Sequence, residues 1–248
     1  MATQLLNQSY AEEKLVWRAL VGTYIVYLLG ALYVTGSILG WALLLIITVR
    51  TYVLGKHKTF AVPAIAWVWV LAMFVMLIAL WIGHADWYLG TGKTIKSSIG
   101  WAKGWALLAL FPLVGAILPI RRELLTRAQC VLGLWTLAIA PLLLVAPYIG
   151  LPERIFTSPL KAVGGPGPEY FTVFLFTWDP ASWTPRWQFY APWSPFAALL
   201  GVVMVLFALE EKNRRWMWCG LLAGVLLVGL LVIGASACTA SHCYDQIG

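Results

Sequence analysis

The chain has 248 residues, 61% hydrophobic and 11% charged, with a formal net charge of +7. Soluble domains carry about 25% charged residues, so a mean hydropathy of +0.83 excludes a water-soluble core and points to a polytopic membrane protein. The positive balance is not a nucleic-acid signal, because the basic residues sit in short clusters between apolar segments, where membrane topology uses them.

Residues 1–14 are polar and include Glu12 and Glu13. The apolar segment after them is too long for a signal-peptide core, so no cleavable signal is expected and the segment reads as a retained span that directs insertion. A bilayer core of about 30 Å needs roughly 20 apolar helical residues. Seven segments qualify, at about 15–34, 38–54, 60–83, 100–120, 128–147, 194–209 and 216–235. Lipid tolerates no open backbone, so each is expected to be helical. The fold class is therefore all-α: one integral membrane domain over 1–248, a transmembrane bundle of about seven spans. Thr35-Gly36-Ser37 reads as a tight hairpin between the first two spans.

Lysine and arginine set the orientation. One set of flanks holds Lys14, Arg18, Arg50, Lys56, Lys58, Arg121, Arg122, Arg127, Lys212, Arg214 and Arg215. The opposite set holds Lys93, Lys96, Lys103, Arg154, Lys161 and Arg186, so the division is 11 against 6. The positive-inside rule places the N-terminus in the cytoplasm and the large loop 148–193 outside, which is the periplasm of a diderm bacterium.

The segment between the third and fourth spans contains Gly90-Thr91-Gly92-Lys93-Thr94. It lacks the four-residue gap of a phosphate loop, and no strand precedes it. Lys93 and Lys96 stand instead at the start of a helix expected near Ile99. Such a place attracts phosphate, or else Lys, Trp87 and Tyr88 anchor the interface.

In the outer loop, residues 161–169 read as a flexible link. Residues 170–178 are apolar but too short to span, and are expected to pack at the membrane surface. Trp178, Trp183, Trp187 and Trp193 follow. They form either an interfacial belt or an aromatic surface for sugar rings or a lipid chain. Arg186 stands just ahead of the sixth span. Its guanidinium suits a phosphate through a bidentate fork, against the alternatives of headgroup snorkelling and pairing with Asp179.

His57, His84 and His242 have no metal-ligand spacing, and no metal or other cofactor is expected. Cys130 and Cys219 fall within spans and read as small buried residues. Cys238 and Cys243 could pair in an oxidising compartment.

Three stretches carry a family resemblance. They are Ile95-Lys96-Ser97-Ser98-Ile99-Gly100-Trp101-Ala102-Lys103-Gly104-Trp105-Ala106, Arg186 with Pro192 and Pro195, and Leu209-Glu210-Glu211-Lys212 before Trp216. Together they resemble the N-terminal half of bacterial O-antigen ligase-like membrane proteins, multi-span glycosyltransferases of surface-polysaccharide pathways. The likeness covers about residues 15 to 235. It implies that Arg186, helped by Lys93, Lys96 or Lys103, holds the diphosphate of a polyprenyl-pyrophosphate-linked glycan. Trp183, Trp187 and Trp193 would then contact glycan or lipid.

The chain departs from that pattern in two ways. Family members have about a dozen spans, with a catalytic His in a second periplasmic region. A Ser-x-Ser-Arg sequence is also expected where Ala235-Ser236-Ala237-Cys238 stands. A truncated frame, a short paralogue or a split protein with a second polypeptide would each produce this. No catalytic base is identified. The alternative is a non-enzymatic membrane subunit, scaffold or small transporter.

Overall fold

A computed structural model describes residues 11–53, 62–118, 120–163, 167–180 and 183–245, without the side chains of 53, 163 and 234–245. Lys56, His57 and Lys58 therefore lie outside the described residues, as do the side chains of Cys238, His242 and Cys243. The described chain is largely helical. Five helical stretches are long and apolar enough to cross a membrane: Leu32–Tyr52, Ala64–Asp86, Thr91–Ile117, Arg122–Val145 and Arg214–Ile233. Ser194–Leu209 is a shorter apolar helix. The molecule is a multi-pass helical membrane protein.

The chain divides into two compact units. Residues 1–16, 33–121 and 163–166 make up unit one, and residues 17–32, 122–162 and 167–248 make up unit two.

The first expected span is not one helix. Helix α1 (Ala11–Val21) and α2 (Thr23–Leu28) meet at Gly22, and the chain then turns at Gly30 into α3 (Leu32–Thr48). Gly30 has φ of 62°, and a Cβ there would lie 2.5 Å from Ser158 Cβ and 2.7 Å from Phe171 O. Both the left-handed backbone and the close approach require glycine. The expected hairpin at Thr35-Gly36-Ser37 is thus corrected: all three residues lie inside α3, and the turn comes earlier, at Gly30.

Unit one holds α3, extended by a π-helical turn Val49–Val53, with α4 (Ala64–Asp86), α5 (Thr91–Lys103) and α6 (Leu107–Ile117). Helix α4 buries only Ala66 and otherwise presents apolar side chains outward, as a lipid-facing helix does. Trp81 Nε1 donates to Ser98 Oγ at 2.9 Å, and His84 Nδ1 lies 3.3 Å from Thr94 Oγ1, so α5 returns antiparallel beside α4. The fourth helix therefore starts at Thr91, after Gly90 at φ of 80°, and not near Ile99. It breaks at Gly104. There Ala106 N–H bonds to Trp101 O and Leu107 N–H to Gly104 O, which leaves the carbonyls of Ala102 and Lys103 without their usual amides. Helix α3 supplies the donors: Trp41 Nε1 to Ala102 O at 3.0 Å and Ser37 Oγ to Lys103 O at 2.6 Å.

At the other end of unit one, buried Glu12 and Glu13 pair with Arg50 and Arg121. Glu13 also accepts the Arg121 backbone N–H at 3.1 Å.

Unit two holds α2, α7 (Arg122–Val145), α8 (Ser194–Leu209) and α9 (Arg214–Asp245), together with most of the loop between α7 and α8. The α9 backbone stays helical past the expected end at 235. Helices α8 and α9 nearly touch: a Cβ on Gly201 would meet Gly224 O at 2.7 Å, and a Cβ on Gly224 would meet Gly201 O at 2.6 Å. Small residues give membrane helices this approach. The core joins Tyr24, Leu132, Leu143, Phe189, Tyr190, Met204 and Leu227.

The loop between α7 and α8 carries two short 3-10 turns, Pro159–Val163 and Pro168–Phe171, and four short strands, and here the all-α expectation needs an addition. Strand β1 (Arg154–Thr157) pairs antiparallel with β2 (Thr172–Phe174), and β3 (Thr177–Trp178) with β4 (Pro185–Arg186). The apolar run 170–178 belongs to no α-helix: it begins in the 3-10 turn Pro168–Phe171 and continues through β2 and β3. Its Phe171, Val173 and Phe176 turn inward and are buried.

Candidate functional site

Four contacts strap the α7–α8 loop onto the helices of unit two. The Tyr27 hydroxyl donates to Phe174 O at 2.8 Å and accepts from Phe174 N–H at 3.0 Å, closing the free edge of β2. Trp187 Nε1 donates to Leu143 O at 2.9 Å. That carbonyl lacks an i+4 amide because position 147 is proline, so the indole fills a gap written into the sequence. Tyr190 meets Tyr24 edge to face at 5.0 Å, and Tyr24 in turn donates to Thr136 at 2.9 Å. Gly30 seats the chain against Ser158 and Phe171.

Arg186 sits on this strapped loop. The register of β3 and β4 sets it opposite Thr177. One Nη donates to Asp179 Oδ2 in a short charge-assisted bond. The Asp179 side chain is 3% exposed and that of Arg186 42%. A buried carboxylate thus holds one edge of a guanidinium whose other edge reaches solvent. Gln188 Nε2 donates to Thr177 Oγ1 at 3.0 Å, while its Oε1 is buried with no partner among the described residues. Burial raises the Tyr190 phenol above its ordinary range, and the neighbouring Tyr24 adds to the effect. Tyr190 packs edge to face on Tyr24 as part of the core.

The tryptophans separate by role. Trp183 is 76% exposed and has φ of 51°, in the turn that Asp179 closes through its bonds with Trp183 N–H and Thr184 O. Trp193 is exposed and stacks edge to face on Tyr170 at 5.7 Å and Phe196 at 6.1 Å. Trp187 is largely committed to the fold, since it packs on the core and its indole N–H is used internally.

The lysines belong elsewhere. Lys93, Lys96 and Lys103 lie together on α5 in unit one, whereas Arg186 lies in unit two. Lys103 is the last residue of α5 and stands well inside the stretch Thr91–Ile117, not at its edge as the flank count assumed. His84 also belongs to unit one, against Thr94.

Sequence reasoning missed one strongly built site. Arg127 donates through Nε and Nη2 to Glu211 at 2.9 and 2.8 Å, and both side chains are buried. The Arg127 guanidinium stands 5.3 Å from the Trp216 ring centre, and its Nη1 has no partner among the described residues. The signal was available: an acid in a helix–helix turn and an arginine one turn into an apolar helix need each other. No group of residues able to hold a metal occurs among the described residues.

Comparison with protein-family models, with characterised proteins and with solved structures finds no match.

Proposed function

We propose that the chain is an O-antigen ligase-like protein of a bacterial inner membrane, with seven crossings counting α1–α2 and α8, and its N-terminus in the cytoplasm. The outer loop would bind a polyprenyl-pyrophosphate-linked glycan for transfer to an acceptor. The observation that carries this reading is Arg186: a guanidinium half open to solvent, oriented by buried Asp179, on a loop strapped to unit two. Preorientation lowers the entropy lost when an anion is bound, and a planar fork suits a diphosphate oxygen pair. Exposed Trp183 and Trp193 offer faces for sugar rings or the apolar carrier.

In the transfer, the bond from the anomeric carbon to the diphosphate breaks and a bond to the acceptor oxygen forms. Arg186 stabilises the charge growing on the leaving diphosphate. Asp179 is committed to the guanidinium, so the acceptor's proton passes to another general base. The 11-to-6 division of basic residues supports the orientation. A second reading, a non-enzymatic membrane subunit or small transporter, draws on Lys103. An ionisable side chain well inside a crossing is a common mark of a transport route.

Binding of an undecaprenyl-pyrophosphate glycan to the purified chain tests the first reading. Each charge-assisted bond contributes on the order of 1.5–3 kcal/mol. Arg186→Lys is expected to weaken binding about ten-fold or more, and Arg186→Ala further still. No binding by the parent chain, or equal binding by all three proteins, removes the ligase-like reading.

A further inference from the structure

Helix α5 differs from the other apolar crossings in being two-faced. Helical spacing sets Lys93, Lys96, Gly100 and Lys103 at i, i+3, i+7 and i+10, on one side. Thr94 and Ser98, at i and i+4, occupy another side, which is hydrogen-bonded to His84 and Trp81 of α4. The lysine row therefore points away from α4. Lys93 and Lys96 are exposed and form no ion pair among the described residues, and α5 contains no acidic residue. A side chain built on Gly100 would meet nothing within 4 Å, so the row is interrupted by open space and not by a neighbour. Beside the lysines, Ile95 and Ile99 are exposed on the adjoining strip of the helix. The turn that leads into α5 carries exposed Trp87 and Tyr88, the residue types that settle at the membrane–water boundary. Lys93 and Lys96 then stand two and five residues past the helix start at Thr91, roughly 3 and 7.5 Å along the axis at about 1.5 Å per residue.

Cations next to exposed aliphatic side chains at this depth match one kind of partner, an amphiphile with an anionic head and apolar tails. We propose that the lysine face of α5 is a docking surface for an anionic glycerophospholipid. Lys93 and Lys96 meet its phosphate, and Ile95 and Ile99 meet the upper part of its acyl chains. The proposal stands on unit one alone and is independent of the glycan reading, which rests on Arg186.

Native mass spectrometry of the full chain, released from vesicles of phosphatidylglycerol mixed with phosphatidylcholine, reads this surface. The parent chain should retain phosphatidylglycerol in preference. An ammonium near a membrane surface contributes about 1 kcal/mol, which is roughly a five-fold effect. Lys93→Gln or Lys96→Gln should each lower that retention about five-fold, and the double variant about 25-fold. Lys93→Arg with Lys96→Arg should keep the preference, and Lys161→Gln, which removes an outer cation from unit two, should leave it unchanged. Glycerol 3-phosphate, a head without tails, should compete poorly. The proposal is overturned by equal retention of the two lipids in the parent chain, a reading that needs no variant to fold. It is overturned equally by a double glutamine variant that behaves as the parent does. Displacement by glycerol 3-phosphate as effective as by a diacyl lipid would mark a free-phosphate site instead.

Discussion

Replacing Tyr27 by phenylalanine removes one oxygen and two hydrogen bonds. The hydroxyl both accepts from Phe174 N–H at 3.0 Å and donates to Phe174 O at 2.8 Å. Phenylalanine keeps the ring, so packing against the core is preserved while a backbone donor and acceptor of β2 lose their partner. A typical internal hydrogen bond contributes about 0.5–1.5 kcal/mol net, so the pair stabilises the closed loop by roughly 1–3 kcal/mol. At 1.4 kcal/mol per factor of ten, local opening of β2 becomes about five to 150 times more frequent. Amide hydrogen exchange in detergent reads this directly. Protection should fall at Phe174 and along the β1–β2 pairing, while α7 amides around Thr136 should keep theirs, because Tyr24 still holds that helix through its own bond at 2.9 Å. Unchanged protection at Phe174 would refute the strap. Loss spread evenly over α7 would show that Tyr27 supports the whole unit and not the loop.

Two further outcomes follow from the geometry. Gly30→Ala forces a Cβ into Ser158 and the Phe171 carbonyl at a left-handed backbone position, and should lower thermal stability by about 2 kcal/mol or more. A transition midpoint equal to the parent's would contradict it. At the buried pair, Arg127→Met alone should cost about 3–5 kcal/mol by stranding Glu211, whereas Arg127→Met with Glu211→Leu should recover most of the loss, as measured by thermal unfolding. Burial raises the Glu211 carboxyl, but the hydrogen bonds from Arg127 and the Asn213 amide outweigh it, so the net shift is downward. A lowered folded pKa stabilises above the ordinary carboxylate range, and that contribution fades as pH falls through the lowered value. The parent chain should therefore lose stability on acidification, and the double variant should lose less.

The helices that face lipid were legible because a long apolar run has one solution in a bilayer. Long apolar helices occur at 64–86, 122–145 and 214–233, where long apolar runs stand in the sequence. Two boundaries misled for physical reasons. Thr35-Gly36-Ser37 has turn-like composition, yet Gly30 carries the steric demand, and that demand comes from Ser158 and Phe171, far away in sequence. Thr91–Lys103 is polar taken by itself, and its hydrogen bonds to α4 show that it runs back beside that helix ahead of the apolar residues 107–117. In the α7–α8 loop, Arg186 and its acid Asp179 were visible as neighbours in sequence. That Asp179 is buried, and that Tyr27 and Trp187 fix the loop, depends on pairings across 147 and 44 residues that no local pattern encodes.

One physical theme connects the strapped loop of unit two with the broken helix of unit one. A membrane helix that loses an i+4 amide exposes a carbonyl with no water to satisfy it. At Gly104 the carbonyls of Ala102 and Lys103 are released, and Trp41 and Ser37 donate to them. At Pro147 the carbonyl of Leu143 is released, and Trp187 donates to it. The donors are an indole twice and a hydroxyl once. Each brings an N–H or O–H on a side chain that is otherwise apolar or small, so the bond is made without placing a charge in lipid. The same economy explains why this chain can be rich in tryptophan without all of it marking a ligand surface. Trp41 and Trp187 are spent on backbone carbonyls, whereas Trp183 stands exposed in the Asp179 turn beside Arg186. Among the three candidate contacts Trp183, Trp187 and Trp193, the indole bond removes Trp187 and leaves the exposed faces of Trp183 and Trp193.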